Sequence, residues 1–142
     1  IDLSLDAIGV AEANANNLGF GGRARFHQHS FYDDLSNFGS FDVIVSNPPY
    51  IPTMDIAGLA VDVRDFDPLL ALDGGVDGMA CWQGLLPRLG ESLNDKGVAF
   101  VEIGFGQEAT IVHLAANANL KLVSSYRDLS DVVRCLQFGI KM

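Results

Sequence analysis

The tetrapeptide Asn47-Pro48-Pro49-Tyr50, set directly after Phe41-Asp42-Val43-Ile44-Val45-Ser46, limits this chain more than any other feature. The apolar, β-branched run reads as a buried central strand. Two consecutive prolines end it, because each removes a backbone donor and fixes φ near about −65°. Asn47 precedes a proline and is therefore confined to extended or turn backbone. A rigid turn is thus expected at the carboxyl end of a strand, where open α/β sheets hold their ligands. There the Pro48 carbonyl has no ladder partner, and the Asn47 amide oxygen lies beside it. With the flat ring of Tyr50, these two acceptors suit the grip of a planar NH2 group. Taken alone, the tetrapeptide also reads as a Pro-rich turn that only caps a strand.

The chain has 142 residues, 49% of them hydrophobic, and no low-complexity tract, which fits one globular domain at most. No apolar run approaches the roughly 18 residues of a membrane span, and no basic-then-apolar leader opens the sequence. No membrane partner and a cytoplasmic location are expected. Net charge is −9 with a pI near 4.5, and the nine Lys and Arg are scattered. Such a surface repels phosphate backbones, so a protein partner is expected rather than direct nucleic-acid binding. Cys81 and Cys135 fit neither a metal spacing nor a disulfide framework and read as reduced core thiols.

Ile1 to Leu3 reads as the end of a strand, and Ser4 as the N-cap of a helix to about Asn17, stopped by Gly19. Its apolar stripe is expected from Leu5, Ile8, Val10, Ala11 and Leu18. Ala24 to Gln28 reads as a short strand, Phe31 to Ser40 as loop, and Phe41 to Ser46 as the central strand. Asp55 to Pro68 is a long polar segment with one short helix, of the kind that carries function. A helix follows from about Met79 to Leu93 with Trp82, Leu85, Leu86 and Leu89 on one face. Then come a strand from Val98 to Ile103, a helix to about Ala118, and strands at Leu120–Tyr126 and Val132–Phe138. Their short connection predicts an antiparallel hairpin at the sheet edge. The alternation predicts a doubly wound, mostly parallel α/β sheet with an antiparallel terminal strand.

With these motifs in order, the chain resembles the class I S-adenosylmethionine-dependent methyltransferases, a Rossmann-like group. More narrowly it resembles the HemK/PrmC family, which methylates the glutamine side-chain amide in the Gly-Gly-Gln motif of class 1 peptide chain release factors. The matching pieces are Val45 to Pro52, Ala71-Leu72-Asp73-Gly74-Gly75-Val76-Asp77-Gly78, Glu102-Ile103-Gly104 with Gln107, and Arg127-Asp128-Leu129. The resemblance implies that residues 1–142 are the C-terminal portion of a catalytic domain. The family's first strand and its glycine-rich cofactor loop precede the position of Asp2. By itself the chain is therefore expected to bind cofactor weakly and to be inactive.

The resemblance also implies roles. Asp2 would accept hydrogen bonds from both cofactor ribose hydroxyls. Phe31 would stack on adenine where the family usually has Trp. Ser30 stands where the family commonly has an acid for the adenine amino group. Asn47 and Pro48 would accept the two N–H bonds of the substrate amide, with Asn47 also bordering the cofactor, while Pro49 and Tyr50 complete the substrate wall. Glu102 reads as structural or as support for that pocket. His27 and His29 share a strand face but lack a third ligand in sequence, so no metal is expected. Two other readings use the same residues. One is an adenine-N6 methyltransferase acting on DNA or RNA, with Tyr50 against a flipped base; the other is a non-catalytic domain that binds protein.

Overall fold

The computed structural model describes residues 1–141, which form two compact units, Ile1–Leu35 and the remainder from Ser36. In the first, the Ser4 hydroxyl accepts the Ala7 amide at 3.2 Å and caps α1 (Leu5–Asn17). This occupies one donor that the first turn would otherwise leave open. Only Ile8, Ala11 and Ala15 are half-covered, whereas Leu5, Val10 and Leu18 are 61–69% exposed. The apolar stripe is therefore narrower than the sequence suggests. Gly19, at φ 77°, ends the helix. The two expected strands here reduce to one parallel bridge between Asp2 and Gln28. The Asp2 amide donates to the His27 carbonyl (3.2 Å), and the His29 amide donates to the Asp2 carbonyl (3.0 Å). Two short segments without a third strand seldom extend a ladder in water.

The second unit carries the sheet. β1 (Phe41–Ser46) is followed by a 3-10 turn (Thr53–Gly58), α2 (Val61–Arg64) and α3 (Leu69–Leu72). Then come α4 (Ala80–Ser92), β2 (Leu93–Glu102), α5 (Glu108–Asn117), β3 (Leu120–Arg127) and β4 (Val133–Ile140). The strand order is β1-β2-β4-β3, with β1 and β2 parallel and β4 antiparallel to both of its neighbours. Three strands thus run one way and the chain-terminal strand runs against them, as the α/β reading predicts. Three details differ. β1 is an edge strand of the described sheet, not a central one, because among the described residues only β2 pairs with it; Val43 and Val45 are 57% and 76% exposed. The β3–β4 hairpin forms, but β4 lies inside the sheet and only β3 lies at its margin. The Asp55–Pro68 segment holds one short helix, α2, as expected, but β2 starts at Leu93, ahead of the strand expected from Val98.

The core of this unit is the face of α4 bearing Trp82, Leu85, Leu86 and Leu89, packed with Ile111 and Ala115 of α5. It closes on Ala99, Val101, Leu120, Leu136 and Phe138 of the sheet. Each large side chain buried this fully contributes up to about 1.5–3 kcal/mol. The Trp82 indole N–H is buried without a hydrogen-bond partner among the described residues. The parallel register sets Ser46 opposite Val101. Asn47–Tyr50 and Glu102–Gly104 therefore leave the sheet side by side, at the carboxyl ends of two adjacent strands.

Candidate active site

The carbonyls that follow Pro48 are taken one after another. Pro49 O accepts the Cys81 thiol at 3.1 Å, and Tyr50 O accepts Gln107 Nε2 at 3.0 Å. Ile51 O accepts the Gly74 amide and Pro52 O the Asp55 amide, both at 2.8 Å. Among the described residues nothing donates to Pro48 O or to the Asn47 side chain. Pro48 is itself buried while Asn47 is exposed. The structure thus leaves open the two acceptors named from sequence and occupies the carbonyls from Pro49 to Pro52. Pro49, half-buried, packs in the turn between them and Tyr50.

Tyr50 is fixed at its other end. Its hydroxyl donates to Glu102 Oε1 at 2.8 Å, so Glu102 holds the aromatic wall. Burial first, then the bond to Glu102 and its charge, push the phenol above its usual range, against an opposing effect of Arg134. Tyr50 therefore acts as a neutral ring at neutral pH. Cys81, read from sequence as core filler, is buried and its thiol is pushed up to about 11 by burial. Its Sγ–H serves as the donor to Pro49, a role without a local sequence signal.

The Leu72–Gly78 loop is laced to the turn. Ile51 bridges Asp73, the Thr53 amide donates to Gly75 O (2.9 Å), and the Thr53 hydroxyl donates to Asp73 Oδ1 (2.7 Å). That oxygen also accepts the Gly75 amide at 2.9 Å. The Thr53 hydroxyl, then the Gly75 amide, hold the Asp73 carboxyl below its usual range. Glycine is required where the loops touch: a Cβ on Gly74 would lie 2.8 Å from Tyr50 Cα, and one on Gly78 would lie 2.4 Å from Tyr50 O. Gly78 also sits at φ 73°.

Beside Tyr50 opens a cleft of about 530 Å3, lined among others by Met79, Phe105, Gln107, Asp77 and Arg134. The Arg127-Asp128-Leu129 motif explains itself here. Asp128 Oδ1 accepts the Ser130 and Val132 amides at 2.8 and 3.1 Å, turning β3 into β4, and Oδ2 holds Arg134 Nε at 3.2 Å. These bonds, the Val132 amide foremost, keep the Asp128 carboxyl below its usual range.

The first unit brings together Asp2, Ser30 and Phe31, since His29 bonds to Asp2. Asp2 is exposed; its Oδ1 accepts the Ser4 amide at 2.8 Å, and Oδ2 has no partner among the described residues. Asp2 thus shares in the helix start beside the Ser4 cap. Ser30 Oγ accepts the Tyr32 amide at 3.1 Å, which leaves a lone pair and the hydroxyl proton. Phe31 is half-buried and tilts against Tyr32, with ring centroids 4.7 Å apart. Among the described residues no group of three His, Cys, Asp or Glu is placed to hold a metal ion, and no helix is long and apolar enough to cross a membrane.

No family model matches the chain. It is, however, 42% identical over 141 residues to the release factor glutamine methyltransferase of Caulobacter vibrioides, covering 99% of this chain and 48% of that protein. It is 45% identical over 119 residues to the protein of the same name from Bradyrhizobium diazoefficiens, covering 84% of this chain and 39% of that one. Over almost its whole length the chain is similar to the HemK/PrmC family. The chain spans less than half the length of these two relatives.

Solved structures agree on the fold. The ribosomal protein L11 methylase of Lactobacillus delbrueckii subsp. bulgaricus superposes with a TM-score of 0.65 at 20% identity, over 99% of this chain and 56% of that one. An O-methyltransferase from neocarzinostatin biosynthesis, in complex with S-adenosylmethionine, gives 0.59 at 18% identity, over 94% of this chain and 38% of that one. At such identities the likeness shows the class I methyltransferase fold alone.

Proposed function

We propose that the full-length gene product is a protein-(glutamine-N5) methyltransferase that modifies the glutamine of the Gly-Gly-Gln motif in class 1 peptide chain release factors, with S-adenosylmethionine as cofactor. The observation that carries this reading is the pair of open acceptors, Asn47 Oδ1 and Pro48 O, in a turn whose following carbonyls are all occupied. Two acceptors match the two N–H bonds of a primary amide. Similarity to the release factor glutamine methyltransferases supports the choice of glutamine over adenine, as does the net charge of −9.

The residues of the first unit fit the cofactor. The open oxygen of Asp2 suits a ribose hydroxyl, and the half-covered Phe31 ring suits the adenine face. Ser30 keeps a donor and an acceptor for the adenine edge. Bound S-adenosylmethionine supplies a methyl group already activated by the sulfonium.

An amide nitrogen is a weak nucleophile, because its lone pair is delocalised into the carbonyl. Asn47 and Pro48 draw on its two protons, orient its lone pair and favour the positive charge that develops there as it is methylated. Tyr50, neutral and pinned by Glu102, covers the amide plane and excludes water. No group at this turn acts as a strong base; the proton leaves the nitrogen after attack.

The direct test is mass spectrometry of release factor incubated with the full-length gene product and cofactor. One added methyl on the Gly-Gly-Gln glutamine is expected. An unmodified glutamine beside methylated adenine in a DNA or RNA control would overturn the reading.

A further inference from the structure

Three loops distant in sequence meet at one side chain. Gln107 Nε2 donates to Tyr50 O at 3.0 Å and to Gly78 O at 3.2 Å, while Oε1 accepts the Gly104 amide at 2.9 Å. Both amide protons and the carbonyl oxygen are thereby used. The backbones come so close that a Cβ on Gly78 would lie 2.7 Å from Gln107 Nε2, and one on Gly104 would lie 2.8 Å from Oε1. Glutamate offers the same shape but no donors when ionised, and asparagine is one methylene short.

We propose that Gln107 is a positioning residue of the methyl-transfer site, which clamps the Asn47–Tyr50 turn against the Gly74–Gly78 and Gly104–Gly106 loops and keeps Pro48 O the open acceptor. This rests on the functional reading above. Gln107 hydrogen-bonds to neither Asn47 nor Pro48; it acts through the Tyr50 carbonyl, two peptide units after Pro48 O. Without its donors the Tyr50 carbonyl becomes a further unsatisfied acceptor beside Asn47 Oδ1 and Pro48 O, and its peptide plane is released. A shift of about 1 Å in a reacting group is enough to cost about 100-fold in rate.

The test uses the full-length gene product with release factor as acceptor and compares Gln107→Glu with Gln107→Ala. Gln107→Glu keeps the acceptor for Gly104 but loses both donors, whereas Gln107→Ala loses all three bonds. Both are expected to lower kcat 10- to 100-fold at saturating cofactor and release factor, with cofactor Kd by calorimetry within twofold of the parent. Hydrogen exchange at the Gly104 amide is expected to accelerate in Gln107→Ala and stay slow in Gln107→Glu. A folded Gln107→Glu with kcat within twofold of the parent would overturn the proposal. So would a loss of turnover that merely tracks the folded fraction and cofactor affinity. If Gln107→Ala fails to fold, Gln107→Glu decides by its kcat. If the parent protein transfers no methyl to glutamine, the functional reading falls on its own, and unchanged Gly104 protection in Gln107→Ala would then also remove the clamp.

Discussion

The Tyr50 hydroxyl donates to the Glu102 carboxylate at 2.8 Å, across 52 residues of sequence. The contact exists because β1 and β2 are parallel neighbours whose carboxyl ends are level. Removing either partner should loosen the same ring. Tyr50→Phe and Glu102→Gln in the full-length protein should each cost about 1–2 kcal/mol, and the double variant about as much as the worse single one. Additive losses in a double-mutant cycle would show that the bond is not the shared cause. The pH sign follows from the raised phenol. Stability from its neutral form is fully present below the usual tyrosine range and is lost as pH rises through its higher folded value. Tyr50→Phe should lose that alkaline limb in unfolding measured from pH 9 to 12.

On the proposed function, Asn47→Ala removes an acceptor for the substrate amide, at an exposed position where no internal bond among the described residues is lost. The rate should fall by two or more orders of magnitude, about 3 kcal/mol or greater, with little change in thermal stability. Asn47→Asp should keep more activity, since a carboxylate oxygen still accepts. Single-turnover rates on release factor provide the check. Equal activity of Asn47→Ala and the parent would remove Asn47 from the site.

Asp2→Ala should weaken cofactor binding more than it slows the chemical step. A ribose contact lies away from the reacting centre and is made alike in ground and transition states. Because Oδ1 also accepts the Ser4 amide, a small stability loss should accompany it. Calorimetric cofactor affinity and kcat at saturation separate the two effects; a large fall in kcat with unchanged affinity would contradict the assignment.

Acid should loosen the Leu72–Gly78 loop before the core. The Asp73 carboxyl is held below its usual range by the Thr53 hydroxyl, then by the Gly75 amide. Its contribution is therefore complete above about pH 4 and is lost as pH falls through its lower folded value. Exchange at the Gly75 amide should quicken in that window, while core amides such as that of Val101 stay protected. Asp73→Asn, which retains an acceptor oxygen without a titrating charge, should abolish the dependence.

Trp82 carries a buried N–H with no partner among the described residues, and such an orphan donor costs about 1–3 kcal/mol. Trp82→Phe removes that penalty while it opens a modest cavity, so a net loss within about 1 kcal/mol is expected. Trp82→Ala should cost about 3–5 kcal/mol. Denaturant midpoints on the three proteins are the measurement, and a Trp82→Phe loss as large as that of Trp82→Ala would refute the account.

Local chemistry made much of this protein legible in its sequence. The β-branched run and two prolines define β1 and its end to the residue, Ser4 defines the start of α1, and the 82, 85, 86, 89 spacing defines the buried face of α4. Missing donors at prolines, a capping hydroxyl and a helical period all act within a few residues. What tertiary structure alone decided is which atoms remain free. The occupancy of the Pro49 and Tyr50 carbonyls depends on Cys81 and Gln107, 32 and 57 residues away. The place of β1 at the sheet margin, and of β4 inside it, depends on pairing order. A hydrogen-bond partner or a strand neighbour is a fact about closure of long loops, and no periodicity along the chain encodes it.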